Sequence, residues 1–207
     1  MRIGIIGAGV LGLAVARRAA LAGAAVLLAD RSIGRARTAA AEATTAETAG
    51  TVVATTLAAA LRPEIVIFAI GWPQALELTR LHAGLLAGKA VVDLSVPSRT
   101  DPESSAVRQL VGLAPEVRWV KALTTADAGA LHRGSSDGLP VDVFVASDDE
   151  RAKVAVVELF DRSGLRAFDA GGLDNAWVLE GMGRLGQEVG ERLQLSESWS
   201  FKFMPSW

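Results

Sequence analysis

The chain has 207 residues, half of them hydrophobic, and its 21 Lys and Arg residues nearly balance its 23 Asp and Glu residues. This balance argues against nucleic acid or an anionic membrane as the main partner, and the absence of cysteine excludes disulfides and thiolate chemistry. The two histidines, His82 and His132, lie too far apart in sequence for a metal-ligand motif, so no metal site is predicted. No basic segment leads into an apolar signal core, and the chain is therefore expected to be cytoplasmic.

A glycine-rich stretch separates the first predicted strand, at residues 3–6, from an Ala- and Leu-rich helix that runs towards Gly23. The stretch consists of Gly7, Ala8, Gly9, Val10, Leu11 and Gly12. In this spacing the first glycine allows a tight turn, the second lets a pyrophosphate approach the backbone, and the third lets the helix pack on the strand. The stretch predicts a dinucleotide site with the phosphates at the helix N-terminus. The alternative is a glycine-rich structural turn.

The second predicted strand, at residues 25–29, ends at Asp30. A carboxylate at this position can accept hydrogen bonds from the adenosine ribose, and its charge would repel a 2′-phosphate, which favours NAD. Arg31, Ser32 and Arg35 are donors that a 2′-phosphate would use, which favours NADP. Arg31 could instead stack on adenine while Arg35 lies on a solvated helix face. The sequence therefore leaves both NAD and NADP open as cofactors.

The following segments alternate between helical and strand patterns. They predict helices at 38–50, 57–61, 74–87 and 106–111, and strands at 51–53, 64–70, 90–94 and 117–123. The run at 64–70 is almost wholly apolar, as expected for a parallel strand that is buried on both faces. The alternation predicts an α/β fold of the Rossmann type, with a doubly wound, mainly parallel sheet.

Three turns follow predicted strands at the carboxyl edge of this sheet, where ligands bind in such folds. They contain Ile70, Gly71 and Trp72 in the first, Val96 and Pro97 in the second, and Thr124 and Thr125 in the third. Val96 and Pro97 are predicted to press on the nicotinamide. Trp72 is predicted either to wall the cofactor pocket or to pack in the core.

Residues 1–130 are predicted to form the dinucleotide-binding core, and residues 131–207 an extension that completes the substrate pocket. The extension is predicted to hold a flexible loop at 134–138, strands at 141–146 and 165–169, and helices at 150–163 and 173–193. The aromatic tail at 199–207 has no helical period, so it must be buried against its own chain, a ligand or another subunit. The tail and the long helix together predict a homodimer.

Several segments of the second half carry a family resemblance. They are Ala-Ser-Asp-Asp at 146–149, Ser-Gly-Leu-Arg at 163–166, Asp-Ala-Gly-Gly-Leu-Asp-Asn at 169–175, Glu180, and Trp-Ser-Phe-Lys-Phe at 199–203. With them, nearly the whole chain resembles the F-420-dependent NADP oxidoreductase family, whose members pass a hydride between a nicotinamide and the deazaflavin coenzyme F-420. The resemblance implies NADP as cofactor, F-420 as small-molecule co-substrate, and cofactor contacts from Trp72, Val96 and Pro97.

The chain departs from the family pattern at three positions. Asp30 replaces a Ser, which puts the preference for NADP in doubt, and Thr124 stands where the family tends to have His or Asn. Gly71 occupies a position that is commonly Pro. These departures allow either a true F-420 reductase or a relative with a different acceptor.

Hydride transfer to a deazaflavin mainly requires two rings stacked about 3 to 3.5 Å apart, so no protein acid or base is needed. An imine or ketone reductase would need a proton donor near the nicotinamide. Lys121, Thr124, Thr125 and His132 are the candidates by position. The alternatives are ordinary surface residues for Lys121 and His132, and a turn or helix cap for the two threonines.

The pocket for the second substrate is predicted to be lined by Thr124, Thr125, Trp177 and Met182. The leading interpretation is hydride exchange between NAD(P)H and F-420. The alternatives are an NAD(P)H-dependent reductase of another small imine or ketone, and a nucleotide-binding module without catalysis.

Overall fold

Alternating strands and helices build a large sheet with helices on both faces in the computed structural model, which describes residues 1–99, 101, 105–195 and 199–204. The strands are β1 (Arg2–Ile6), β2 (Ala25–Ala29), β3 (Thr51–Ala54), β4 (Ile65–Phe68), β5 (Ala90–Asp93), β6 (Arg118–Ala122), β7 (Ser135–Ser136), β8 (Leu139–Pro140), β9 (Asp142–Ala146) and β10 (Arg166–Asp169). The helices are α1 (Val10–Leu21), α2 (Ile33–Ala43), α3 (Leu57–Ala60), α4 (Trp72–Leu86), α5 (Ala106–Leu113), α6 (Ala128–Arg133), α7 (Glu150–Arg162) and α8 (Ala176–Arg192).

The main sheet has eight strands in the order β10-β9-β6-β5-β4-β1-β2-β3. Neighbouring strands are parallel, except that β9 runs antiparallel to β6. The chain moves outward from β1 to β3 and then returns to the other side of β1 with β4. Ligands bind at this kind of reversal in open α/β sheets, because the loops on either side of it diverge and leave a crevice. The predicted Rossmann-type fold with a mainly parallel sheet is confirmed.

Strand β4 shows why the sheet is buried on both faces. All of its residues are buried, and Ile65 and Ile67 join the core under α1, α2, α6 and α7. Val66 and Phe68 join the core under α3, α4 and α5, where the chain also enters α8. Successive side chains of a strand point to opposite faces, so a continuous apolar run is what two helix layers require.

Helix α2 begins before Arg35, which agrees with the interpretation that places Arg35 on a helix face. It starts at Ile33 because the Oγ of Ser32 accepts the N–H of Arg35 at 3.3 Å and caps the first turn. The prediction that the helix continues to residue 50 was wrong, since α2 ends at Ala43.

The predicted flexible loop at 134–138 is instead part of the short β7–β8 hairpin. Asp137 and Gly138 both have positive φ, 50° and 76°, as a two-residue Asp-Gly hairpin turn requires. Helix α6, which was not predicted, is capped by Asp127, whose Oδ1 accepts the N–H of Ala130 at 2.7 Å. Strands β9 and β10, from the predicted extension, join the same sheet as the core strands.

The aromatic tail packs against its own chain. The ring of Trp199 lies on α8, where a methyl group at Gly186 or Gly190 would come within 2.2 or 2.8 Å of it. The N–H of Phe201 donates to the carbonyl oxygen of Thr125 at 2.9 Å. The chain itself therefore covers Trp199 and Phe201 in part, which was one of the three predicted possibilities. It does not cover Phe203 and Met204, which are 51% and 71% exposed.

The last part of the predicted tail, including Trp207, lies outside the described residues. Among the helices that the structure describes, none combines the length and apolar character needed to cross a bilayer.

Candidate functional site

The glycine-rich turn lies at the carboxyl end of the central strand β1. Gly7 has φ +104°, and a methyl group there would lie 2.2 Å from the carbonyl oxygen of Ala69. A methyl group at Gly12 would lie 1.9 Å from the carbonyl oxygen of Gly7. The fold itself therefore requires glycine at both positions.

Gly9 differs from these two glycines. It is exposed, its φ and ψ of −76° and −170° suit any residue, and a methyl group there would have no atom within 4 Å. No contact within the described chain explains the missing side chain, whereas a ligand that approaches the backbone closely does. This observation favours a dinucleotide site over a purely structural turn.

Helix α1 begins directly after Gly9. Among the described residues no side chain caps its N-terminus, and its first turn contains no acidic residue. The first N–H groups of a helix lack partners within the helix, and the helix dipole places partial positive charge at this end. The start of α1 is therefore suited to bind a phosphate.

Asp30 connects the end of β2 to the glycine-rich turn. Its Oδ2 accepts the N–H of Ala8 and its Oδ1 accepts the N–H of Ser32, both at 2.9 Å. Burial alone would raise the pKa of Asp30, but these two donors, with Arg35 and Arg31 nearby, hold the pKa below its ordinary value. The predicted ribose acceptor is thus an ionised group that also fixes the turn.

The three predicted 2′-phosphate donors lie together beside Asp30. Arg31, Ser32 and Arg35 are all exposed at the start of α2, and the Nε of Arg35 lies 3.8 Å from the Oδ1 of Asp30. The structure therefore presents two guanidinium groups and a hydroxyl next to one carboxylate at the end of β2.

The turn after β4 borders the glycine-rich turn. The Cγ2 of Ile70 would lie 2.9 Å from a methyl group at Gly7. Gly71 is exposed and precedes α4, whereas Trp72 is half-buried and packs against the core on the α3–α5 face. The position of Trp72 agrees with the packing alternative.

The turns after β5 and β6 meet beneath α8. A methyl group at Gly183 would lie 3.1 Å from the Cγ2 of Val96 and 2.6 Å from the carbonyl oxygen of Thr124. The hydroxyl of Thr124 donates to the carbonyl oxygen of Leu179 at 2.8 Å. The structure thus brings together Val96, predicted to face the cofactor, and Thr124, predicted to face the second substrate.

The other predicted pocket residues are more scattered. Pro97 and Thr125 are buried in the same two turns, and the hydroxyl of Thr125 has no hydrogen-bond partner within the described chain. Trp177 is 36% exposed and Met182 is half-buried. At 3.6 residues per turn these two side chains leave α8 about 140° apart. A pocket lined by both of them stays a prediction.

Three buried charged residues form a group that was not predicted from the sequence. The Nζ of Lys121 lies 2.7 Å from the Oδ2 of Asp93 and 3.1 Å from the Oε1 of Glu180, and all three side chains are 0% exposed. We call these residues the buried ion cluster. The alternative of an ordinary surface lysine at position 121 was therefore wrong, because two carboxylates offset the cost of burying its charge. The available signal was that Asp93 stands in an otherwise apolar strand and that Lys121 has apolar neighbours on both sides.

Two of the four candidate proton donors already have acceptors within the protein. Lys121 donates to Asp93 and to the carbonyl oxygen of Ser95, and Thr124 donates to Leu179. The hydroxyl of Thr125 has no hydrogen-bond partner within the described chain, and His132 lies in the last turn of α6, so these two stay candidates.

Comparisons with known proteins point to one family. Residues 2–97 match the family described as NADP oxidoreductase, coenzyme F-420-dependent. The F-420-dependent NADP reductase of Methanothermobacter marburgensis is 32% identical in an alignment 200 residues long, which covers 87% of this chain and 88% of that protein.

Solved structures share the fold. A protein from Arthrobacter sp. FB24, provisionally described as an F-420-dependent NADP reductase, superposes with a TM-score of 0.79 at 22% identity and covers 98% of this chain and 99% of its own. The imine reductase of Streptomyces aurantiacus superposes with a TM-score of 0.69 at 20% identity, over 94% of this chain and 63% of its own. At these identities the likeness concerns the fold alone.

Proposed function

Because this chain belongs to the family of coenzyme F-420-dependent NADP oxidoreductases, we propose that it transfers a hydride between NADP(H) and the deazaflavin F-420. The chain is an NAD(P)-dependent oxidoreductase. The observation that carries the proposal in this structure is Gly9, whose missing side chain serves no contact in the described chain. It lies at the uncapped start of α1, next to the crevice where the strand order reverses.

The glycine-rich turn has the phosphate-binding role in this proposal. Gly9 lets the pyrophosphate approach the backbone, and Val10, Leu11 and Gly12 offer N–H groups at the start of α1. Ile70 and Gly71 border the same turn on the β4 side.

The nicotinamide and the deazaflavin supply the hydride donor and acceptor, and one proton from water completes the reduced deazaflavin. The chain has to hold two rings face to face and exclude water. Val96 and Pro97 are suited to one wall of that space, and Thr124 and Thr125 to the next. The packing of α8 on Val96 and Thr124 covers these turns and limits the access of water.

The proposal is tested by mixing purified protein with oxidised F-420 and either NADPH or NADH, and following the visible absorbance of the deazaflavin. We expect bleaching, faster with NADPH. Tight binding of NADPH without bleaching by either nucleotide would contradict the proposal and point to another acceptor, for which imines and ketones are the next substrates to assay.

NADP(H) is the proposed nucleotide despite the carboxylate of Asp30. Both oxygens of Asp30 accept main-chain N–H groups, and two exposed guanidinium groups lie beside it. Arg31 and Arg35 can therefore outweigh one carboxylate when a 2′-phosphate binds, because charge-assisted hydrogen bonds to phosphate are strong.

Arg31→Ala is expected to raise the KM for NADPH by about tenfold, since the loss of a charge-assisted hydrogen bond costs roughly 1.5 kcal/mol. The KM for NADH should stay unchanged. The matched control is Arg37→Ala, which removes another exposed guanidinium from α2. An equal rise of both KM values in the Arg31 variant would assign Arg31 to adenine stacking instead.

A homodimer is also part of the proposal. The outer face of α8 carries an apolar stripe in which the exposed residues are Val178 (40%), Leu185 (51%), Val189 (40%) and Leu193 (63%). Their spacing approximates the seam of a coiled coil, and a two-fold axis would pair the stripe with its own copy. The flanking pair of Arg184 and Glu188 supplies both signs of charge, which suits such a self-complementary contact.

Leu185→Glu is expected to halve the mass in solution, as measured by light scattering, because it places a charge in the centre of the apolar stripe. Dinucleotide binding should persist. Leu81→Glu is the control, since Leu81 is 70% exposed on α4. A wild-type protein with the mass of one chain would refute the dimer.

A further inference from the structure

The buried ion cluster joins the strands and the helix around the proposed hydride-transfer pocket. Asp93 is the last residue of β5, Lys121 lies in β6 directly beside it in the strand register, and Glu180 lies on α8. Charged groups at 0% exposure are retained only where partners compensate their lost hydration. The directional contacts within the cluster therefore fix how these three elements meet.

Asp93 and Lys121 form hydrogen bonds with Ser95, the residue before Val96 and Pro97. We call Val96 and Pro97 the nicotinamide wall. The Oδ1 of Asp93 accepts the N–H of Ser95 at 3.1 Å, and its Oδ2 accepts the hydroxyl of Ser95 at 3.0 Å. Lys121 donates to the carbonyl oxygen of the same residue. Every polar group of Ser95 is thus bonded to the cluster, and this fixes where Val96 leaves the strand.

Glu180 holds the helix that lies over this wall. Its Oε1 is 3.1 Å from the Nζ of Lys121, and its Oε2 accepts the N–H of Ala106 at 3.1 Å. One turn further along α8, Gly183 lies against Val96 and Thr124. A shift of Glu180 would therefore move the cover of both turns.

The backbone between the cluster and Thr124 is strained. Leu123 has φ +61° and is 3% exposed. A left-handed conformation is costly for a residue with a side chain, and it persists where the surroundings impose it, often at functional sites. Here Lys121 is bonded on one side of Leu123, and the hydroxyl of Thr124 is bonded to α8 on the other.

We propose that Asp93, Lys121 and Glu180 are positioning residues for hydride transfer, which set the separation of Val96 and Thr124 through Ser95 and α8. This inference rests on the proposed function of the same site. The cluster does not touch the dinucleotide phosphates in this proposal, so it affects the geometry of the reacting rings more than the affinity for NADPH.

The test compares Glu180→Gln with the wild-type protein, because glutamine keeps the shape but turns one acceptor oxygen into an NH2 donor facing Lys121 or Ala106. Three quantities are measured: the Kd for NADPH, the emission of the bound nicotinamide excited outside the tryptophan band, and the single-turnover rate of F-420 reduction. We expect a rate roughly 10- to 100-fold lower, as small displacements of reacting groups produce. The emission should shift, and the Kd should stay within about twofold of the wild-type value.

The matched control is Arg18→Met, which removes another buried cation. Arg18 is 7% exposed and donates to the carbonyl oxygens of Ser163 and His132, so it joins α1 to α6 and α7 far from the pocket. This variant should lower the unfolding temperature without changing the emission or the single-turnover rate.

Two results would overturn the inference. One is a Glu180→Gln variant with wild-type emission and rate, and the other is an equal loss of rate in Arg18→Met at matched fractions of folded protein. A wild-type protein that binds NADPH but does not reduce F-420 would refute the proposed function instead. In that case there is no rate of F-420 reduction to compare, so the emission of the bound nicotinamide becomes the test of the positioning role. An unchanged emission in Glu180→Gln would then overturn it.

Discussion

Gly9→Val is expected to weaken the binding of NADPH by at least about 100-fold, or roughly 2.7 kcal/mol, while the unfolding temperature stays unchanged. The added side chain would occupy the space through which a pyrophosphate approaches the backbone. The backbone conformation at Gly9 suits valine, and a first carbon atom there would meet no atom of the described chain within 4 Å. Titration of the protein with NADPH, together with a thermal melt, measures both effects.

Two other glycines give this prediction its controls. Gly12→Ala should lower the unfolding temperature as well as binding, because its methyl group would lie 1.9 Å from the carbonyl oxygen of Gly7. Gly84 lies at an open position in α4. Gly84→Ala should leave NADPH binding unchanged and raise the stability slightly. Undiminished NADPH binding by Gly9→Val would show that the dinucleotide lies elsewhere.

Asp142→Asn is expected to lower the free energy of unfolding by about 2 to 3 kcal/mol and to release the tail. The carboxylate of Asp142 is fully buried and accepts four hydrogen bonds: two from Arg166 at 2.8 and 2.6 Å, one from Lys202 at 2.6 Å, and one from the N–H of Phe203 at 2.8 Å. The expected loss of unfolding free energy is smaller than for a fully buried ion pair, because the side chains of Arg166 and Lys202 are 38% and 24% exposed to water. Urea unfolding measures the free energy, and the fluorescence of Trp199 reports the tail.

The stabilisation by Asp142 should depend on pH. Burial alone would raise the pKa of Asp142, but the hydrogen bonds from Arg166, Lys202 and Phe203 hold the pKa below its ordinary value. A carboxyl group with a lower pKa in the folded state stabilises the fold above its unfolded pKa of about 3.9, and this contribution disappears as the pH falls through the folded pKa. The difference between wild type and Asp142→Asn should therefore be complete at neutral pH and shrink below about pH 4.

Asp161→Asn provides the comparison for Asp142→Asn. Asp161 is exposed, and its Oδ1 accepts a single N–H, from Ala167 at 2.8 Å. Its replacement should cost about 1 kcal/mol or less. A loss of stability in Asp142→Asn no larger than this would mean that the tail is held by its aromatic contacts instead.

Local patterns in the sequence were enough to predict the strands of the main sheet and most helices. The predicted strand at 25–29 coincides with β2, and the run at 64–70 contains β4. Hydrophobic periodicity is a local property, so it can be recognised without knowing which elements pack against each other. The errors fell on short or polar elements such as α6 and the β7–β8 hairpin, which are defined by a capping side chain and a two-residue turn rather than by periodicity.

Some features of the candidate site could likewise be predicted from local patterns, and others could not. The Rossmann-type fold and the glycine-rich turn with Asp30 could be predicted from the residues alone, because spacing within one βαβ unit dictates which groups meet. The cluster of Asp93, Lys121 and Glu180 and the return of the tail to Asp142 became visible only in the folded chain. These contacts join residues from distant parts of the chain. Whether a lysine is on the surface or buried depends on the carboxylates that folding brings to it, and no local pattern contains that information.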